Sequence, residues 1–307
     1  MTFKQYNVVA ADLTAKVCLN VASYSTDTHA LHQIPSSMSF DQAAGIPLCF
    51  NAAALGFYAP RGTKGGAALT LPWAEDGKTT YKNQPILIFG GASNVGQYGK
   101  FHHGQSDLQL PERVFSAIQL ARLSGFSPII TTASLKNTEY LKSLGATHVI
   151  DRNLPLSALP AAVGDITKEP LHFIYAAVAP ADIQQAAYDL LAVNGTLVIV
   201  QYLAIEESKR VPDKHVTDIF ASPFLPDRRQ VGADLYKHLT ALLESGEIKV
   251  PCSCSSLCTM LMSNVLSQPG PVEVLPGGLA GIPAGVERLD RGEVHLLKLI
   301  GHPQETV

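Results

Sequence analysis

The stretch Pro85 to Gln97, PILIFGGASNVGQ, constrains this chain more than any other. An apolar run suited to a buried strand, Ile86-Leu87-Ile88-Phe89, breaks at Gly90-Gly91 into small residues, and a helix start follows at Ser93-Asn94-Val95-Gly96. Such a turn lets the main chain approach a pyrophosphate. The unpaired N–H groups at the helix N-terminus, with the positive end of the helix dipole, then face the anion. Read alone, the same residues also fit a tight strand-to-helix turn that holds no ligand.

The chain that follows favours the phosphate reading. Pro128-Ile129-Ile130-Thr131 reads as a second strand, Asn137 to Leu144 as a helix closed by Gly145, and His148-Val149-Ile150 as a third strand ending at Asp151. Leu171 to Tyr175 gives a fourth strand, Ala181 to Ala192 a helix stopped by Asn194-Gly195, and Thr196 to Val200 a fifth strand. Strands alternating with helices of about ten residues imply right-handed crossovers and an α/β fold, a doubly wound parallel sheet of the Rossmann kind. Ligands in such folds sit beyond the carboxyl ends of the strands, where the glycine turn lies.

The end of the second strand bears on the choice of dinucleotide. An NAD site usually carries an acid there for the ribose 2′-hydroxyl, whereas this chain reads Thr131-Thr132-Ala133-Ser134-Leu135-Lys136-Asn137. No acid repels a 2′-phosphate, Ser134 offers a hydroxyl and Lys136 a cation, so NADP(H) is favoured over NAD(H). The plainer alternative for Lys136 is a solvated lysine at a helix start.

GGASNVGQ, SLGATHVID (Ser143 to Asp151), DQAAGIPL (Asp41 to Leu48) and VEVLPGGLAGIP (Val272 to Pro283) together resemble the medium-chain dehydrogenase/reductases. Among them the pattern is similar to a fungal zinc-independent branch of trans-acting enoyl reductases and quinone-reductase-like proteins. The resemblance implies a Rossmann domain over 85–245, a partial GroES-like β domain over 1–84, and a C-terminal return to that domain over 246–307. It implies NADPH-dependent hydride transfer to an activated carbon of a small-molecule substrate, no metal, and a homodimer as the common assembly. Its cofactor-binding residues would be Gly91, Ala92, Ser93, Asn94, Val95 and Gly96 for the diphosphate, with Ser134 and Lys136 on the 2′-phosphate. Val178-Ala179 and Gln201-Tyr202 would border the nicotinamide, and Ala52 stands where the family often has Thr. The catalytic proton donor is not identified: Tyr58 and Tyr202 are phenols, but buried tyrosines are more often packing residues.

Two departures from the family pattern are expected to matter. The chain opens at Met1-Thr2-Phe3, on what resembles a strand from late in the GroES-like domain, so roughly the first quarter of a usual member has no counterpart. Three stretches of nearly equal length, Val17 to Gln33, Gly99 to Ser116 and Val250 to Gln268, also interrupt otherwise continuous pattern. The codons of their boundary residues are compatible with the GT and AG letters of introns. Either these are short introns translated in frame, or they are real loops; the competing reading of the chain as given is a catalytically inactive nucleotide-binding remnant or mis-spliced product, expected to show no turnover. The middle stretch splits the helix that follows the glycine turn.

Of the five cysteines, Cys18, Cys252, Cys254 and Cys258 lie in those stretches and only Cys49 lies outside. The C-x-C-x₃-C cluster matches no usual zinc spacing, and His102-His103 shares its setting in an interrupting stretch. With 307 residues, 46% hydrophobic, and a net charge of −3, neither nucleic acid nor an anionic membrane is an expected partner. There is no run of about eighteen apolar residues and no secretory leader pattern, which makes the cytoplasm the expected compartment. Pro60 to Tyr81 reads as a loop before the first strand of the sheet.

Overall fold

The computed structural model describes residues 14–16, 31–33, 35, 38, 43, 46–90, 112–177, 179–200, 202–249, 272–291, 293 and 298–306. The chain divides into two compact units, Leu48–Ser93 with Leu110–Gly232, and Met1–Pro47 with Asn94–Gln109 and Ala233–Val307. The glycine turn Gly91 to Gly96 and the third interrupting stretch, Val250 to Gln268, lie outside the described residues.

The first unit is built on a sheet of six parallel strands: β3 (Ile86–Phe89), β4 (Ile129–Ala133), β5 (His148–Asp151), β6 (Leu171–Ala176), β7 (Leu191–Ile199) and β8 (His215–Asp218). Their order is β5-β4-β3-β6-β7-β8, so the chain winds outward from β3 to β5, then returns to the other side of β3 and winds outward again. The reversal falls between β3 and β6. That is the switch point at whose carboxyl edge open α/β sheets hold their ligands.

Helices cover the sheet: α1 (Ile46–Tyr58), α2 (Glu112–Leu123), α3 (Thr138–Leu144), α4 (Leu159–Ile166) and α5 (Ala181–Leu190); α6 (Arg229–Glu244) begins in this unit and runs past Gly232 into the second. Because side chains alternate along a strand, Leu87, Phe89, Ile130, Ile174, Ala176, Leu197 and Ile199 form one core with Leu159, Val163, Ala187 and Tyr188. On α1, Phe57 meets Phe173 edge-on with ring centroids 4.9 Å apart and Tyr175 at 5.5 Å. Those contacts bind α1 into the sheet-bearing unit, which therefore begins before residue 85. The segment 60–85 contains neither helix nor strand, yet it is anchored: Gly66 N–H bonds Pro60 O, and Thr217 Oγ1 donates to Gly65 O at 3.1 Å.

Three sequence expectations are corrected. Helix α5 ends at Leu190, not Ala192, and β7 begins at once. Asn194 (φ 59°) and Gly195 form an irregularity inside β7, because Leu171 pairs with Leu191 and Phe173 already with Thr196. Helix α2 begins at Glu112, inside the stretch Gly99 to Ser116, and Phe115 packs edge-on against Tyr140 with centroids 5.2 Å apart. The end of that stretch is thus the first turn of a helix and part of the core. The edge strand β8, whose short HVTD sequence gives no clear alternation, was not predicted.

In the second unit, β1 (Thr14–Lys16) pairs in parallel with β2 (Leu31–Gln33), and β9 (Val272–Leu275) with β10 (Lys298–Gly301). The β2 strand comes from the end of the first interrupting stretch. Helix α7 (Ile282–Asp290) is tied to β9 by Arg288, whose guanidinium grips both oxygens of Glu273 at 2.5 and 3.0 Å. That hydrogen-bonded ion pair holds the Glu273 carboxyl below its usual pKa.

Candidate functional site

The site is built from the carboxyl ends of the six parallel strands. At the end of central β3, Phe89 O accepts the N–H of Ala177 at 2.9 Å, which ties the exits of β3 and β6 together. Gly90 follows at φ 142°, in the region that excludes most side chains, so the chain can turn sharply there. Gly90 is buried and leads into Gly91, Ala92, Ser93, Asn94, Val95 and Gly96, which lie outside the described residues.

On one side of this exit stand β4 and β5. Ser134 leaves β4 in an extended conformation (φ −67°, ψ 128°) and heads a short 3-10 turn, Leu135–Asn137; its carbonyl accepts the Asn137 N–H at 2.9 Å, while its hydroxyl makes no capping bond. Lys136 is exposed on that turn, with no carboxylate partner among the described residues. Thr131 Oγ1, donating to Ile88 O at 3.0 Å, fixes β4 against β3.

A residue that sequence reasoning missed joins this edge. Ala133 pairs with Asp151, and the next residue, Arg152, donates its backbone N–H to Ala133 O at 2.9 Å. Arg152 thus follows β5 with its backbone bonded to the residue just before Ser134, and its Nη1 is buried with no partner among the described residues. The acid before it is already engaged: Asp151 Oδ1 accepts the Asn153 N–H at 3.0 Å and the Asn153 side-chain amide at 3.1 Å. The available signal was a cation immediately after a strand whose neighbour is followed by Ser134.

On the other side stand β6 and β7. Ala176, Ala177 and Ala179 at the exit of β6 carry only methyl side chains, and Val200 N–H bonds Ala176 O at 3.0 Å. Val178 and Gln201, expected to border a nicotinamide, lie outside the described residues; their neighbours Ala179 and Tyr202 are buried and 57% exposed respectively. Gln184 of α5 links the two exits through hydrogen bonds to Ala179, Tyr202 and Ala204.

Tyr58 does not belong to this edge chemistry. It is buried, its hydroxyl is 2.7 Å from Ser124 Oγ, and burial raises its pKa, so it packs as a core residue. Ala52 is buried in α1. Cys49 is buried on the same helix. Among the described residues no group of three or more His, Cys, Asp or Glu is placed to hold a metal ion, and no helix is long and apolar enough to cross a membrane.

A six-stranded parallel sheet with a topological reversal at β3 defines the class: a doubly wound Rossmann-type fold. Residues 115–224 match the zinc-binding dehydrogenase family model. A trans-enoyl reductase of Pyricularia oryzae is 25% identical over 289 residues, covering 87% of this chain and 66% of that protein. A trans-enoyl reductase of Fusarium heterosporum is 26% identical over 277 residues, covering 88% of this chain and 67% of the relative. The crystal structure of the CurK enoyl reductase superposes with a TM-score of 0.57 at 18% identity, covering 89% of this chain and 66% of that one. These likenesses support a place among the medium-chain dehydrogenase/reductases, on the side of their enoyl reductases. It spans about two thirds of the length of the relatives it matches.

Proposed function

We propose that this chain is an NADPH-dependent oxidoreductase of the enoyl or quinone reductase type, acting on a small-molecule substrate with an electron-poor carbon. One observation carries the cofactor choice: Ser134, Lys136 and Arg152 leave adjacent strands at the sheet's carboxyl edge, and Arg152 brings a buried guanidinium nitrogen that has no protein partner among the described residues. A 2′-phosphate suits that set. Guanidinium and ammonium groups would neutralise it, and the Ser134 hydroxyl would donate to it.

When bound, NADPH supplies the hydride. The chain's part is to hold and orient. Gly91, Ala92, Ser93, Asn94, Val95 and Gly96 would take the diphosphate on their backbone N–H groups, continuing the turn that Gly90 begins. The exits of β6 and β7 would border the nicotinamide. The enoyl or quinone acceptor is read from the superfamily branch. On the same footing, 246–307 and the chain before α1 are assigned to a GroES-like domain, the assembly to a homodimer, the compartment to the cytoplasm, and the reaction to one without zinc.

The test is to mix the full chain with NADPH and either an enoyl thioester or a quinone, and to follow NADPH absorbance with and without a strong chelator. Acceptor-dependent loss of NADPH that persists in chelator supports the proposal. Abolition by chelator, or no NADPH oxidation with either acceptor, contradicts it.

A further inference from the structure

Gln184 lies on α5, is 1% exposed, and makes three hydrogen bonds through its side-chain amide. Nε2 donates to Ala179 O at 2.8 Å and to Tyr202 O at 3.0 Å, and Oε1 accepts the Ala204 N–H at 2.8 Å. Both amide hydrogens and the carbonyl oxygen are used, which fixes the orientation of the group without ambiguity between nitrogen and oxygen. Ala179 follows β6, and Tyr202 and Ala204 follow β7. One side chain thus links the two segments leaving neighbouring strands on the nicotinamide side of the edge. Ser134 and Arg152 follow β4 and β5 on the far side of β3. Three strand spacings of about 4.8 Å separate β4 from β7, roughly 14 Å, so the two ends of a dinucleotide would meet separate sets of residues.

We propose that Gln184 is a positioning residue that holds the exits of β6 and β7 in the arrangement the nicotinamide ring requires. This rests on the reading that the edge binds NADP(H). A leucine of similar size would leave two carbonyls and one N–H without their partner. A glutamate would keep at most two of the three bonds, and only when protonated, donating its one O–H to one carbonyl and accepting from Ala204; ionised, it would face two carbonyl oxygens in a buried place. Burial and those carbonyls raise the pKa of such a carboxyl, so the change of state falls at working pH.

The experiment measures binding of NADP+ and of 2′-phospho-ADP-ribose, which lacks the nicotinamide, by calorimetry on the full chain, Gln184→Leu and Gln184→Glu. For Gln184→Leu, NADP+ should bind about tenfold more weakly while the ring-less analogue stays within about twofold. For Gln184→Glu, the NADP+ deficit should grow by about tenfold between about pH 6 and about pH 8.5, with the analogue and the unsubstituted chain changing little. The glutamate variant carries the test if the leucine variant does not fold. Equal losses for both ligands, no loss for either, or a flat pH profile in Gln184→Glu would overturn the positioning role. If the unsubstituted chain binds neither ligand, the cofactor reading itself fails, an outcome separate from a variant that matches a binding-competent parent.

Discussion

At the scale of single residues, cofactor choice rests on few atoms. Lys136 is exposed, and an exposed ammonium on a phosphate contributes on the order of 1 kcal/mol, or about fivefold. Lys136→Ala should therefore reduce the preference for NADPH over NADH about fivefold and leave NADH affinity nearly unchanged; a parallel loss for both would assign Lys136 to folding. Arg152 is better placed, since its Nη1 is buried and charge-assisted bonds are stronger away from water. Arg152→Ala should cost NADPH about tenfold or more with little effect on NADH, read by fluorescence titration of each. Ser134 and Lys136 were proposed from the sequence because the end of the second strand lacks the acid usual for an NAD ribose and offers a hydroxyl and a cation instead. Arg152 was not, because only the pairing of Ala133 with Asp151 brings it to that edge. His215 makes a different prediction. It starts β8 opposite Thr196, and its Nε2 is buried without a partner among the described residues. Burial, with Arg61 nearby, holds its pKa below the usual 6.5. The unfolded chain then binds the proton more readily, so the stability tied to the neutral ring is complete above about pH 6.5 and is lost as pH falls toward the folded value. Thermal midpoints at two pH values should drop more on acidification for the parent than for His215→Gln, and equal drops would remove His215 as a cause.

At the scale of elements, local pattern was a good guide wherever a strand is buried on both faces. Ile86–Phe89 is a continuous apolar run, Leu171–Ala176 is one apart from exposed His172, and both form as expected. It was a poor guide where tertiary pairing overrides local signals. Asn194-Gly195 is a sound helix-stop signal, yet β7 pairs with β6 before and after it and absorbs it as an irregularity. The packing of α1 depends on one small residue. A Cβ at Gly56 would lie 2.9 Å from Tyr175 Cε2 and 3.2 Å from Val198 Cγ1. Replacing glycine by alanine within a helix gains about 1 kcal/mol of propensity. Forcing a methyl against a packed ring costs about 1–3 kcal/mol, so Gly56→Ala should be destabilising by about 1 kcal/mol net. Denaturant unfolding of the two proteins reads this directly. A stabilised variant would mean that α1 has room to move away from the sheet.

At the scale of the whole molecule, the six-stranded sheet holds together as one unit with its covering helices and the 60–85 segment. Buried Arg228 helps to close it, bonding Phe220 O beyond β8 and Thr63 O at 3.4 Å in the loop after α1. The end of the stretch Gly99 to Ser116 forms the first turn of α2, a helix start that the sequence did not place there. The central claim is that the carboxyl edge of this sheet binds a nicotinamide dinucleotide and selects its 2′-phosphate. It is tested most directly by titrating the full chain with NADPH and with NADH under one set of conditions, following the fluorescence of the reduced ring. Binding of both, with NADPH tighter by about tenfold, is the expected result. Equal affinities would contradict the assignment of Ser134, Lys136 and Arg152, and failure to bind either would contradict the site as a whole.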